Sequence, residues 1–180
     1  MARLVVGITG ASGSIYGIRA LEIVKDMPEV ETHLVLSETA AKTLTYETSY
    51  TVEQVQALAD VVYDIEDLTA TISSGSFKTA GMLIAPCSIR SMGSIANSLT
   101  GNLLVRAADV TLKERRRLVL VLRETPLHLG HLQNMVRVTE IGAIVLPPSP
   151  PFTPSPRRLM TSSTTRWGGP WTSSGSSTRD

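Results

Sequence analysis

Five apolar runs of strand length punctuate the chain, at residues 3–9, 32–37, 82–87, 117–123 and 143–147. They are nearly continuous rather than alternating, which is how strands read when both of their faces are buried. Helical spacing fills the intervals. Residues 15–25 set Ile15, Ile18, Leu21 and Val24 on one stripe, and residues 103–115 and 127–140 give two further helices. Thr51-Val-Glu-Gln54 has the form of a capping box and predicts a short helix carrying Val55 and Leu58. Strands alternating with helices predict an α/β fold, a doubly wound parallel sheet covered on both faces, in a single domain. Ligands of such sheets bind beyond the carboxyl ends of the strands. Four stretches should therefore converge on one rim: residues 10–14, Ser37, residues 88–91, and Arg123 with Glu124.

The pattern stops at Pro147. From there to the end come seven of the ten prolines, both tryptophans and many Ser and Thr, with no acid before Asp180. Residues 149–180 thus form an atypical tail with no helical or strand period, beside an α/β domain over residues 1–148. A composition of this kind buries too little apolar surface to offset ordering entropy, so disorder or loose packing is one reading and translation in a shifted frame another.

Composition narrows the function classes. A formal net charge of +1 supplies no global field for nucleic acid or an anionic membrane, so neither is expected as a partner. No apolar segment approaches the roughly 20 residues of a membrane span, and no secretory leader precedes the first strand. The single Cys87 excludes a disulfide framework within one chain and suits a reducing compartment, so a cytoplasmic location is expected.

Among the candidate chemical groups, the turn "GITGASGSIYG" comes first. Its spacing is neither the dinucleotide fingerprint nor a P-loop. Its backbone amides and the hydroxyls of Thr9, Ser12 and Ser14 precede a helix, an arrangement that favours a phosphate; a ligand-free tight turn is the alternative. In "APCSIRSMGSIANS", Ser88, Arg90 and Ser91 offer donors, or Ser88 only caps the helix that follows. Arg106 and Lys113 are seven residues apart, on one helical face. Arg123 ends an apolar strand, where an anion would compensate its charge, and Glu124 beside it, in partial burial, suits proton transfer. Cys87 reads as a buried small hydrophobe. His128 and His131 read as helix-surface or capping residues, and no metal site is expected.

Taken together, "GITGASGSIYG", "ETHLVLS", "ISSGSF", "PCSIRSMGSIAN", "RAADVTLKERR", "LVLRETPLHLGH" and "EIGAIVLPP" resemble the UbiX-type flavin prenyltransferases, a family long labelled aromatic (phenylacrylic) acid decarboxylases. The resemblance covers residues 3 to about 148. It implies a flavodoxin-like, Rossmann-like fold with FMN at the rim and transfer of a dimethylallyl group from its phosphate ester to reduced FMN. It also implies a UbiD-type decarboxylase as acceptor of the product, and a homododecamer with flavin sites at subunit junctions. By resemblance, Gly10, Ala11, Ser12, Ser37, Ser88, Ile89, Arg90, Ser91 and Arg123 hold FMN. Arg106, Lys113 and Arg123 hold the phosphate of dimethylallyl phosphate. Glu124 protonates the leaving phosphate, Lys113 counts among the catalytic residues as well, and Ser12 and Glu47 handle the proton lost on ring closure.

The tail departs from the family. A family Tyr position holds Thr153, and a basic position for the prenyl phosphate falls near Gly169. An FMN-binding protein with impaired prenyl transfer is therefore one alternative. A flavin-dependent cysteine decarboxylase is another, although its Pro-x-Met-Asn stretch is absent and His33 falls in a strand rather than an early helix.

Overall fold

The computed structural model describes residues 1–148. The expectations that fall on residues 149–180, including those for Thr153 and Gly169, lie outside the described residues. Six parallel strands form one sheet: β1 (Ala2–Ile8), β2 (Val30–Leu36), β3 (Val61–Tyr63), β4 (Gly81–Cys87), β5 (Arg117–Leu122) and β6 (Ala143–Val145). Their spatial order is β3-β2-β1-β4-β5-β6, the order of dinucleotide-binding sheets. Without the short edge strand β3 it becomes the flavodoxin order, so the two fold names describe one arrangement.

All five expected strands are present. β3 is not among the expected strands: it lies on an edge and none of its three residues is fully buried, so it carries no extended apolar run. The helices are α1 (Ser14–Lys25), α2 (Glu38–Glu47), α3 (Val52–Gln56), α4 (Ile89–Ala96), α5 (Leu103–Lys113) and α6 (Leu129–Glu140). The box at Thr51 forms as expected, the Thr51 hydroxyl taking the Gln54 amide and the Gln54 side chain taking the Thr51 amide. The stripe on α1 is shifted from the expected one. Ser14, Gly17, Ile18 and Leu21 are buried, whereas Ile15 is exposed.

Side-chain alternation along the strands divides the core in two. Val6, Ile8 and Leu34 pack against Ile18 and Leu21 of α1 and Leu44 of α2. Val5, Val35, Ile84 and Leu120 pack against α4, α5 and α6 through Met92, Leu104 and Val138. α1 approaches the sheet closely because residue 17 has no side chain: a Cβ there would lie 2.2 Å from the Ala85 carbonyl oxygen.

At the centre, β1 and β4 pair side by side while their onward connections lead to opposite halves of the sheet, and Thr9 joins their ends. Its hydroxyl donates to the Pro86 carbonyl at 2.7 Å and accepts from the Ser88 amide at 2.8 Å. Thr9 is 2% exposed, so its hydroxyl serves this junction rather than a ligand.

Replacing Gly17 with Ala should force α1 away from β4. Denaturant unfolding should register a loss of about 1–3 kcal/mol or more, the usual cost of an overpacked contact.

Candidate functional site

Because every strand points the same way, α1, α2 and α4 begin where β1, β2 and β4 end, and α5 returns its own start to the same edge. Each helix start carries unpaired amides and the positive end of its dipole. Ser37 caps α2 by accepting from Ala40 N at 3.1 Å. Ser88 caps α4 by accepting from Ser91 N at 3.2 Å, and its hydroxyl donates to Ser91 Oγ at 3.1 Å. Asn102 caps α5 by accepting from Val105 N at 3.0 Å.

The start of α1 is different. Its cap position is Gly13 at φ 103°, a left-handed conformation that disfavours a side chain, and no side chain of its own turn caps it. The Glu47 carboxylate, from the end of α2, takes the amides of Gly13 at 2.8 Å and Ser14 at 3.2 Å. Burial alone would push the Glu47 carboxyl up. The amides of Gly13 and Ser14 and the Ser12 hydroxyl outweigh it and hold the group below the usual carboxylate range.

Two adjoining cavities open between these helix starts. One, of about 440 Å³, is lined by Gly10, Ser37, Ser88, Arg90 and Ser91 among others. The second, of about 340 Å³, is lined by Gly10, Ala11, Ser12, Ser88, Ile89, Arg90, Arg123 and Glu124. Gly10, Ser88 and Arg90 belong to both, which makes a continuous trough across the point where the strand order reverses. A Cβ on Gly10 would lie 2.3 Å from Thr39 Cγ2 and narrow the trough.

The rim thus gathers all nine residues expected around FMN, with Glu124 beside them and Glu47, from α2, on the amides of Gly13 and Ser14 that follow Ser12. Glu124 corrects one expectation. It and Arg123 are exposed rather than partly buried, since the β4–β5 ladder ends at the pair Cys87–Leu122 and the next residues leave the sheet.

Arg106 and Lys113 line neither cavity. Arg106 turns toward η1 (Thr71–Ser73), its Nε donating to the Ser73 carbonyl at 3.2 Å. Lys113 ends α5 a few residues before Arg117, which pairs with Gly81 at the amino edge of the sheet. They share a helical face, as their spacing indicated, but in a single chain that face does not meet the trough.

The remaining candidates act in the fold. Cys87 is buried, and burial pushes its thiol up to about 12, which leaves no thiolate for nucleophilic chemistry. His128 caps α6, its Nδ1 accepting from the Gly130 amide at 3.0 Å, and the rings of His128 and His131 lie 3.5 Å apart, centroid to centroid. Sequence reasoning missed Glu38, Thr39, Ile65, Glu66, Ser94, Asn102 and Val105, which also line the larger cavity. Only Asn102 carried a signal, as a cap residue directly before the helix at Leu103.

Residues 1–163 match the flavoprotein family. Over 159 residues the chain is 57% identical to the flavin prenyltransferase UbiX of Escherichia coli K12, covering 88% of this chain and 84% of that protein. The chain belongs to the flavoprotein family and groups with its UbiX members. The UbiX enzyme of Thauera aromatica is also 57% identical, over 87% of this chain and 80% of that one. Among solved structures, AnUbiX (PadA1) in complex with FMN and dimethylallyl pyrophosphate superposes with a TM-score of 0.82 at 50% identity, covering 84% of this chain and 80% of that one. A dodecameric FMN-dependent UbiX-like decarboxylase from E. coli O157:H7 gives 0.82 at 47% identity, over 83% of this chain and 81% of that one. The cysteine decarboxylase TvaF gives 0.65 at 15% identity, a likeness of fold alone. Among the described residues of this UbiX-type flavoprotein, no helix is long and apolar enough to cross a membrane.

The depressed Glu47 carboxyl predicts a pH dependence. Its folded-state value lies below the ordinary 4.5, so its stabilising bonds to α1 are fully present above that value and are lost as pH falls through the lowered one. Glu47→Gln keeps an acceptor oxygen without the charge. Its stability-against-pH curve, measured by urea unfolding, should show a shallower acid limb than that of the parent chain.

Proposed function

We propose that this chain is a flavin prenyltransferase: it seats FMN in the trough at the rim and joins to the reduced flavin a dimethylallyl group taken from dimethylallyl phosphate. The observation that carries the reading is 57% identity to a UbiX flavin prenyltransferase across 88% of the chain. The donor set fits the flavin. The starts of four helices, together with Arg90 and Arg123, suit a phosphate, and the cavity volumes lie within the roughly 300–1,000 Å³ of small-molecule sites.

Reduced FMN, when bound, supplies the electron-rich ring positions N5 and C6 that accept the two ends of the dimethylallyl group. The protein's own groups manage charge and protons. Breaking the ester's carbon–oxygen bond leaves negative charge on the departing phosphate; Arg123 balances that charge and Glu124, beside it, supplies a proton. Glu47, kept ionised by the amides it accepts, receives the proton released on ring closure, with the Ser12 hydroxyl between them.

Arg106 and Lys113 complete the phosphate clamp from a neighbouring copy, since within one chain they face away from the trough. A homo-oligomer with sites at subunit junctions follows, and the dodecameric UbiX-like relative supports a dodecamer. A UbiD-type decarboxylase receives the prenylated flavin.

Anaerobic incubation with reduced FMN and dimethylallyl phosphate should release inorganic phosphate and yield a flavin heavier by one prenyl-derived unit, read by mass spectrometry. Bound but unmodified flavin would overturn prenyl transfer. It would leave a flavin-binding module, the reading that Thr153 at the family's Tyr position favours.

A further inference from the structure

Residues 73–79 pass beside α5 and the turn that follows it, and are fastened to both. Arg106 holds the Ser73 carbonyl. Arg116 spans the next stretch: its Nη2 donates to the Gly75 carbonyl and its Nη1 to the Phe77 carbonyl, each at 2.7 Å. The Arg116 side chain is 15% exposed, so these bonds are largely shielded from water. Between the two arginines, Gly75 passes against the end of α5. A Cβ there would lie 2.1 Å from Glu114 Oε1 and 2.7 Å from Lys113 Nζ, while Lys113 Nζ itself donates to Glu114 Oε1 at 2.6 Å.

Two of the three cations of the proposed phosphate clamp, Arg106 and Lys113, therefore rest on one short segment, and Arg116 fixes the course of that segment. Asp109 adds a further restraint, accepting from Arg106 Nη1 at 3.0 Å. With Nε and Nη1 engaged, Arg106 Nη2 has no hydrogen bond among the described residues and is available to an anion.

The geometry points to Arg116 as a positioning residue for prenyl-phosphate binding, acting through the backbone of residues 73–79 on Arg106 and Lys113. Long cationic side chains surrender rotamer freedom when they grip an anion, and a segment that already restrains them lowers that cost. The planar guanidinium can bridge two carbonyls at once, which the single ammonium of lysine does not reproduce. Gly75 serves the same end, because only a residue without a side chain lets Lys113 and Glu114 settle where they do. The inference rests on the reading that Arg106 and Lys113 hold the substrate phosphate.

Three variants test it: Arg116→Lys, Gly75→Ala and, as reference, Arg106→Ala. Each is assayed for KM toward dimethylallyl phosphate, kcat with saturating reduced FMN, FMN Kd and thermal unfolding. Arg116→Lys and Gly75→Ala should each raise KM roughly tenfold, about one misplaced charge-assisted contact, with kcat and FMN Kd within about twofold of the parent. Gly75→Ala displaces only the far ends of two flexible side chains, so it decides the matter even if Arg116→Lys folds poorly. An unchanged KM in Gly75→Ala while Arg106→Ala raises it overturns the positioning role. A loss of FMN affinity in step with KM also overturns it, because that is what general loosening of the fold produces. An unchanged KM in Arg106→Ala would instead defeat the clamp reading on which the inference stands.

Discussion

A sheet whose strands all run in one direction sends the beginnings of its helices to one edge, and every beginning carries amides that the helix cannot pair. In this chain α1, α2, α4 and α5 open toward the same trough, so the site's electrostatic character is a property of the topology before any side chain is counted. Serine and asparagine caps satisfy one amide in each of three helices. The fourth, at α1, borrows a carboxylate from the far end of α2. The trough therefore keeps several oriented donors, and the arginines at residues 90 and 123 add full charges to a surface already inclined toward anions.

The division of labour along α5 extends this logic past the boundary of one chain. The start of the helix helps to line the trough, whereas its cationic face and its far end lie elsewhere on the surface. Under the proposed function, a site that needs both ends of the same helix would call on two copies of it. The segment 73–79 is the inner support of that outward face, in the way that Thr9 is the inner support of the trough. In both places the contacts that set the geometry are hydrogen bonds to backbone carbonyls, groups that any sequence possesses but that few side chains can reach together.

Four strands were legible because burial on both faces demands unbroken apolar runs, and β6, though only three residues long on the other edge, was legible through the apolar run 143–147 that contains it. α2 and β3 were not. α2 buries little beyond Ala40 and Leu44, too few positions to establish a period, and β3 buries none of its residues fully, so it lacks the apolar run that marks a buried strand. The rim was legible as a set of strand ends, and Ser37, Ser88 and Arg123 fall there for the reason the pattern supplied. Spacing placed Arg106 and Lys113 on a common face but carried no information about which way that face turns. Glu124 misled because the apolar run before it suggested continued burial, whereas the ladder ends two residues earlier. The double use of the Thr9 hydroxyl left no trace in the sequence, since it depends on two strands that are distant along the chain and adjacent in space.

The Thr9 junction also bears on traffic through the site. It ties the tips of the two central strands into one floor that cannot part without exposing a buried amide and hydroxyl. A guest seated on that floor must then enter and depart past the perimeter, between the Thr39 end of α2 and the turn after Leu122. Arrival and exit are thus confined to the open side of a base whose two central strands are tied together.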